Sequence, residues 1–244
     1  MNWLVLNNVS IYYNKDNTIL KNINLSFSKG LYVLIGENGA GKTSLLKTIA
    51  RLNKKFQGEI KLFKNNIFKY SIEEYYKYVG ILFQNNTVYD INVLDFLSLN
   101  KNFSIHYIKE NKFLSEIYEK FKIGNIINKN LLQLSGGELQ KLNIFSLFYQ
   151  NPKILLLDEV FNNLDYNTSS FVKKKLNLLK KDYLIVLVSH DINDINMADC
   201  ILYIEKNQIK SANSIEEFIN TEYFKEKYKG LDYKILNKKF IFYS

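Results

Sequence analysis

The chain has 244 residues, 47% hydrophobic and 23% charged, a balance that excludes a disordered segment and allows one sizeable core. Its formal charge of +9 invites a nucleic-acid reading, but Arg51 is the only arginine, so the bidentate forks that grip phosphates or read guanine edges are missing and a solvated lysine-rich surface is expected. The longest apolar run, Tyr183 to Val188, is six residues against the roughly 18 to 20 of a spanning helix, the first residues lack the pattern of a leader, and Cys200 alone closes no disulfide, so a cytosolic chain with no membrane span is expected.

In chain order, apolar alternation predicts strands over 3 to 13 and 19 to 27, and Leu31 to Ile35 reads as a buried strand. Next comes Gly36-Glu37-Asn38-Gly39-Ala40-Gly41-Lys42-Thr43, with a helical pattern over 42 to 52 behind it. Strand, glycine-rich loop and helix in this order fit the phosphate loop, whose glycines let successive N–H groups point inward as an anion nest at a helix N-terminus. Triphosphate is the expected occupant, with Lys42 bridging its β- and γ-phosphates and the Thr43 hydroxyl on a magnesium ion. The loop by itself says only that a nucleotide binds.

Strands follow at 58 to 63 and 79 to 83, with helical patterns at 72 to 77, 91 to 100, 107 to 122 and 136 to 150. The stretch from about 86 to 150 holds helices and no convincing strand, so it reads as a helical lobe inserted in an α/β core. Ile154-Leu155-Leu156-Leu157 is a buried strand that ends in Asp158-Glu159, and an apolar strand has reason to end in two acids where a cation is held. Asp158 is expected as a magnesium partner, and Glu159, pointing elsewhere, as the group that polarises an attacking water. A helix over 166 to 181, a buried strand over 184 to 189 and a helix over 191 to 198 come next, and Cys200 begins another strand as a small buried residue. Strands separated by helices predict a mostly parallel sheet covered on both faces. From 211 to 244 a helical extension is expected, opened by the capping-box-like Ser214-Ile215-Glu216-Glu217 and closed by a Lys/Phe/Tyr-rich tail.

Leu134-Ser135-Gly136-Gly137-Glu138, with Gln140 two residues on, resembles the signature motif of the ABC ATPases. Ser135 and two glycines opening a long helix make a second anion-binding terminus, for which one chain has no second γ-phosphate. The resemblance implies a head-to-tail dimer, as a homodimer or with a second ABC ATPase, in which each ATP lies between one subunit's phosphate loop and the partner's Ser135, Gly136, Gly137 and Asp165. It further implies that Gln84 touches magnesium and the attacking water, that Asn163-Leu164-Asp165 crosses the dimer interface, and that His190 contacts the γ-phosphate and holds Glu159. Tyr13, with Tyr12 as rival, is placed to stack on adenine, and Gly36 and the run Asn38-Gly39-Ala40-Gly41-Lys42-Thr43-Ser44 to hold ATP.

The resemblance extends from about residue 3 to 210 and implies an α/β phosphate-loop NTPase core with an N-terminal antiparallel β subdomain and an inserted helical subdomain. In domain terms, 1–244 is one ABC ATPase domain: 1–85 and 151–210 the core, about 86–150 the signature lobe and 211–244 the extension. Departures from the family pattern are Glu37 in place of a frequent proline, Val160-Phe161 after the acid, and Lys141 in place of a frequent arginine. The implied partners are transmembrane permease subunits at the inner face of the cell membrane, and no nucleic acid. The short interval of 51 residues from Gln84 to Ser135 resembles drug, antibiotic-peptide and bacteriocin-immunity exporters more than importers. Two alternatives are a soluble ABC ATPase, such as an iron-sulfur assembly component, and a nucleotide-sensing module, which Glu159 and His190 argue against.

Overall fold

Strands whose consecutive residues are all apolar need cover on both faces, and the computed structural model gives it to them. It describes residues 2–14, 17–84, 87–99, 103–236 and 239–243. The chain begins with β1 (Leu4–Asn14), β2 (Asn17–Phe27), β3 (Gly30–Ile35), α1 (Lys42–Ile49), β4 (Phe56–Leu62) and the short β5 (Asn65–Asn66). Then come α2 (Ile72–Tyr78), β6 (Val79–Leu82), the helices α3 (Val93–Ser98), α4 (Ile105–Glu110), α5 (Lys112–Phe121) and α6 (Ile123–Ile126), and the long α7 (Gly136–Gln150). The remainder is β7 (Ile154–Asp158), α8 (Tyr166–Leu179), β8 (Leu184–Val188), β9 (Cys200–Glu205), β10 (Gln208–Ala212), α9 (Ile215–Ile219), α10 (Glu222–Lys227), β11 (Asp232–Leu236) and β12 (Lys239–Tyr243).

The large sheet has the order β10-β9-β3-β8-β7-β6, parallel except for β10, and a second sheet, β2-β1-β4-β5, is antiparallel. Alternate residues of the central strands enter two different cores. Leu31, Val33, Leu155, Leu157, Ile185 and Leu187 pack with Ile117, Leu142 and Phe145 of the helical lobe. Leu34, Leu156, Val186 and Val188 pack with Leu45 and Leu46 of α1 and with Leu6, Ile11 and Ile60 of the antiparallel sheet. A one-residue slip of any central strand would exchange the two sets, and with about 1.5–3 kcal/mol per buried aliphatic side chain the register is strongly held.

Three expectations are corrected. The helix over 107 to 122 is two helices, because the Asn111 side chain accepts a hydrogen bond from Leu114 N–H and starts α5 afresh. Residues 192–197 form a 3-10 turn in place of an α-helix, with the Asp191 carboxylate accepting from Asn193 N–H. The extension over 211 to 244 is not helical throughout. Phe240 and Phe242 are buried while Lys239, Ile241 and Tyr243 face outward, a period of two that builds the β11–β12 hairpin. Asn196 and Asn193 accept from the N–H groups of Phe240 (2.8 Å) and Phe242 (3.1 Å), seating the hairpin on the 3-10 turn. Cys200 begins β9 as expected but is half-buried, and burial pushes its thiol up to about 11.

Candidate functional site

The parallel register brings four strand ends to one edge. Leu34 and Asp158 both pair with Val188, and Leu82 pairs with Leu157, so the segments that follow β3, β7, β8 and β6 emerge side by side at the carboxyl edge, where open α/β sheets bind ligands.

The loop after β3 turns by an Ala40 N–H bond to Glu37 O (3.2 Å), with Gly39 and Gly41 at φ 79° and 105°. Gly41 is the residue before α1, and no side chain caps the helix, so its first N–H groups face the cleft uncapped. A Cβ on Gly41 would come within 2.6 Å of Ile19 Cγ2 and 3.1 Å of Leu20 Cγ. Gly41→Ala is therefore expected to destabilise the fold by about 2–4 kcal/mol, from left-handed strain and overpacking together, read as a lower urea midpoint with an unchanged slope.

Lys42 is 5% exposed, and its Nζ donates to Gly36 O (2.7 Å) and Glu37 O (2.9 Å). Burial holds its ammonium below the ordinary lysine value, against the opposing pull of the Glu159 and Asp158 carboxylates. Thr43 Oγ1 donates to Asp158 Oδ2 at 2.7 Å. Asp158 Oδ1 is buried with no hydrogen-bond partner, and burial raises the Asp158 carboxyl above its usual range, aided by Glu159 and opposed mainly by Thr43. A buried carboxylate oxygen without a donor, one bond from a threonine hydroxyl, fits a small oxygen-loving divalent cation such as magnesium.

Glu159 leaves the strand in a left-handed conformation (φ 52°) with its N–H bonded to Val188 O (3.1 Å), which swings its carboxylate sideways. There Oε1 meets His190 Nε2, and Oε2 accepts from Asn162 Nδ2 at 3.0 Å. Glu159 also lines the same cleft of about 460 Å³ as the run Asn38 to Ser44 and Tyr13. That volume suits a nucleotide-sized ligand. Between the two candidate aromatics, Tyr13 is 69% exposed on the cleft, whereas the Tyr12 hydroxyl donates to Gln57 Oε1 (3.0 Å). Gly36 lies beneath the cleft, its carbonyl on Lys42, and Gln84 is exposed two residues past β6, outside the lining.

The signature residues lie elsewhere on the surface. Ser135 caps α7: its Oγ accepts from Glu138 N–H (3.2 Å) while Glu138 Oε2 accepts from Ser135 N–H (2.9 Å). Ser135 and Gly136 are exposed, a Cβ on Gly136 would meet only open space, and one on Gly137 would approach Asn163 O at 3.1 Å. Gln140 Nε2 donates to Val160 O (2.8 Å), and Lys141 pairs with Asp165 at 3.3 Å. Asp165 caps α8 through Thr168, whose hydroxyl and N–H hold its carboxyl far below the usual range. So 135–141 and 160–165 pack against one another, and none of these residues lines the phosphate-loop cleft.

Sequence reasoning did not single out Asn17, Thr18, Ile19 and Asn207, which line the cleft, or Asn162, which fixes Glu159. Asn207 sits in the β9–β10 turn at φ 62°, its Nδ2 on Thr18 O (3.1 Å). The Lys206-Asn207 turn is readable locally, since Asn tolerates this conformation, but its neighbour 189 residues away is not.

A family model described as ABC transporter matches residues 20–162. An ABC transporter ATP-binding protein of Pyrococcus horikoshii is 31% identical over 219 residues, covering 88% of this chain and 84% of its own. A multidrug export ATP-binding/permease protein of Staphylococcus aureus is 29% identical over 230 residues, and the chain spans only 38% of its length. A solved bacterial Atm1-family ABC exporter with ATP bound superposes with a TM-score of 0.82 at 18% identity, over 93% of this chain and 41% of that one, which shows a shared fold. With the phosphate loop, the acids at the end of β7 and the capped α7 all carried within or alongside the matched span, the chain belongs to the ABC transporter family and is an ATP-binding unit that hydrolyses ATP.

Proposed function

We propose that the chain powers export by closing, with a second copy or a close relative, around two ATP molecules. The observation that carries this reading is a division of the surface. The cleft holds Lys42, Thr43 and Glu159, while the exposed start of α7 lies apart from it with an exposed serine and an uncovered glycine. In this reading Ser135, Gly136, Gly137 and Asp165 of one subunit contact the ATP seated on the other's phosphate loop.

Within one half-site, Tyr13 stacks on the adenine and the run from Asn38 to Ser44, with Gly36 beneath, cradles the phosphates. Lys42 neutralises β- and γ-phosphate charge. Thr43, Asp158 and Gln84 are the residues to hold magnesium, which when bound offsets charge developing on the phosphates. Glu159 takes a proton from the attacking water as it adds to the γ-phosphorus and the bond to the β-phosphate oxygen breaks, leaving ADP and phosphate. His190 fixes the Glu159 carboxylate from one side and Asn162 from the other.

Among the described residues no helix is long and apolar enough to cross a membrane. In this reading the chain meets membrane-spanning permease subunits at the inner face of the cell membrane through Gln84 and the helical lobe. Export is favoured by the multidrug-export name of the staphylococcal relatives. Affinity purification of the tagged chain from mildly solubilised native membranes tests the assignment. A polytopic membrane protein should co-purify in stoichiometric amount, and recovery of soluble partners alone would overturn the transport reading.

A further inference from the structure

Behind His190 lies a charge pair with a buried carboxylate that the proposed hydrolytic step does not use. Asp194 is 2% exposed; its Oδ2 accepts from Ser189 Oγ at 2.6 Å and its Oδ1 is ion-paired with Lys173 Nζ. Lys173 belongs to α8, and its ammonium is also 3.5 Å from Asp191 Oδ2 and 4.8 Å from the centre of the Phe161 ring. Ser189 Oγ in turn accepts from Asp191 N–H at 3.1 Å. The residue before His190 and the residue after it are therefore both tied to one Asp194–Lys173 pair. Through Phe161 that pair also touches the loop two residues past Glu159. Glu159, His190 and these groups share the walls of one cavity of about 150 Å³.

Burying the Asp194 carboxylate carries a desolvation penalty that apolar packing of the same volume would avoid. Burial does raise the Asp194 carboxyl above its usual range, with Lys173 and Ser189 opposing. What the network adds beyond stability is a directional hold on the backbone at both flanks of one imidazole. We infer that Lys173 and Asp194 are positioning residues that hold the His190 ring against Glu159. The inference rests on the reading of Glu159 and His190 as the hydrolytic pair.

The chain's two histidines make the test direct: His106 sits on α4 beside Glu110 at 82% side-chain exposure, so 15N-histidine labelling of the full chain gives two separable imidazole signals. In Lys173→Met and in the isosteric Asp194→Asn, the His190 ring-nitrogen shifts should move while those of His106 stay. ATP turnover should fall at least about 10-fold with the dissociation constant for ATP changed by less than about 2-fold, because an ångström-scale displacement affects the reacting group more than the phosphate loop. Lys173→Arg, which keeps the cation, should restore most of the turnover. His190 signals unmoved in both variants would overturn the inference, as would turnover and ATP affinity falling together in step with the unfolding midpoint. If Glu159→Gln hydrolyses ATP at the wild-type rate, the underlying reading fails instead, whatever the His190 signals do.

Discussion

Replacing Glu159 by Gln is expected to cut ATP turnover by about 10²–10⁴-fold, the range for loss of a general base, and to convert the chain into a stable dimer in ATP and magnesium. The amide keeps the side chain's volume, and its oxygen still accepts from Asn162, so the left-handed turn at 159 and its bond to Val188 O are retained. What disappears is the ability to take a proton. In the proposed two-chain site each uncleaved γ-phosphate would bridge one subunit's Lys42 and the other's Ser135, and mass action then favours association. Gel filtration and a phosphate-release assay read the two effects. A monomeric elution of Glu159→Gln with ATP and magnesium would remove the basis for the two-chain site.

Lys42→Ala should weaken ATP binding by at least about 100-fold, near 2.7 kcal/mol, which is the upper part of the range for hydrogen bonds to charged groups. The ammonium is already desolvated in the fold, as its lowered pKa records, so a phosphate meets it without that cost being incurred again. Its hydrogen-bond partners are two backbone carbonyls, but the substitution also removes a cation that favours the charged form of the buried Asp158, so stability should fall by about 1–2 kcal/mol beside the loss of binding. Fluorescent-nucleotide titration together with urea unfolding separates the two quantities. Near wild-type affinity would mean that the nest of backbone N–H groups, and not Lys42, dominates recognition.

What could be read in advance tracks how local the information is. The phosphate loop occupies one contiguous stretch, and its strand and helix neighbours announce themselves by apolar runs and periodicity. The central strands at 154–157 and 184–188 are equally plain, because a strand covered on both faces has to be apolar at every position. Where helical spacing was read across Asn111, a capping side chain broke it, and in the last fourteen residues a period of two carried by Phe240 and Phe242 was masked by lysines and tyrosines.

The sequence by itself determined the chemistry: which loop turns its N–H groups inward, which strand ends in acids, and which helix opens with Ser135-Gly136-Gly137. Tertiary structure decided the neighbours. It put Tyr13 on the cleft and sent Tyr12 to Gln57, brought Asn207 beside Thr18, set His190 and Asn162 on either oxygen of Glu159, and buried Asp194 against Lys173. The physical reason is that strand register and chain crossover, which carry residues far apart in sequence to one sheet edge, are fixed by the sum of many weak burial terms. No single motif encodes that sum.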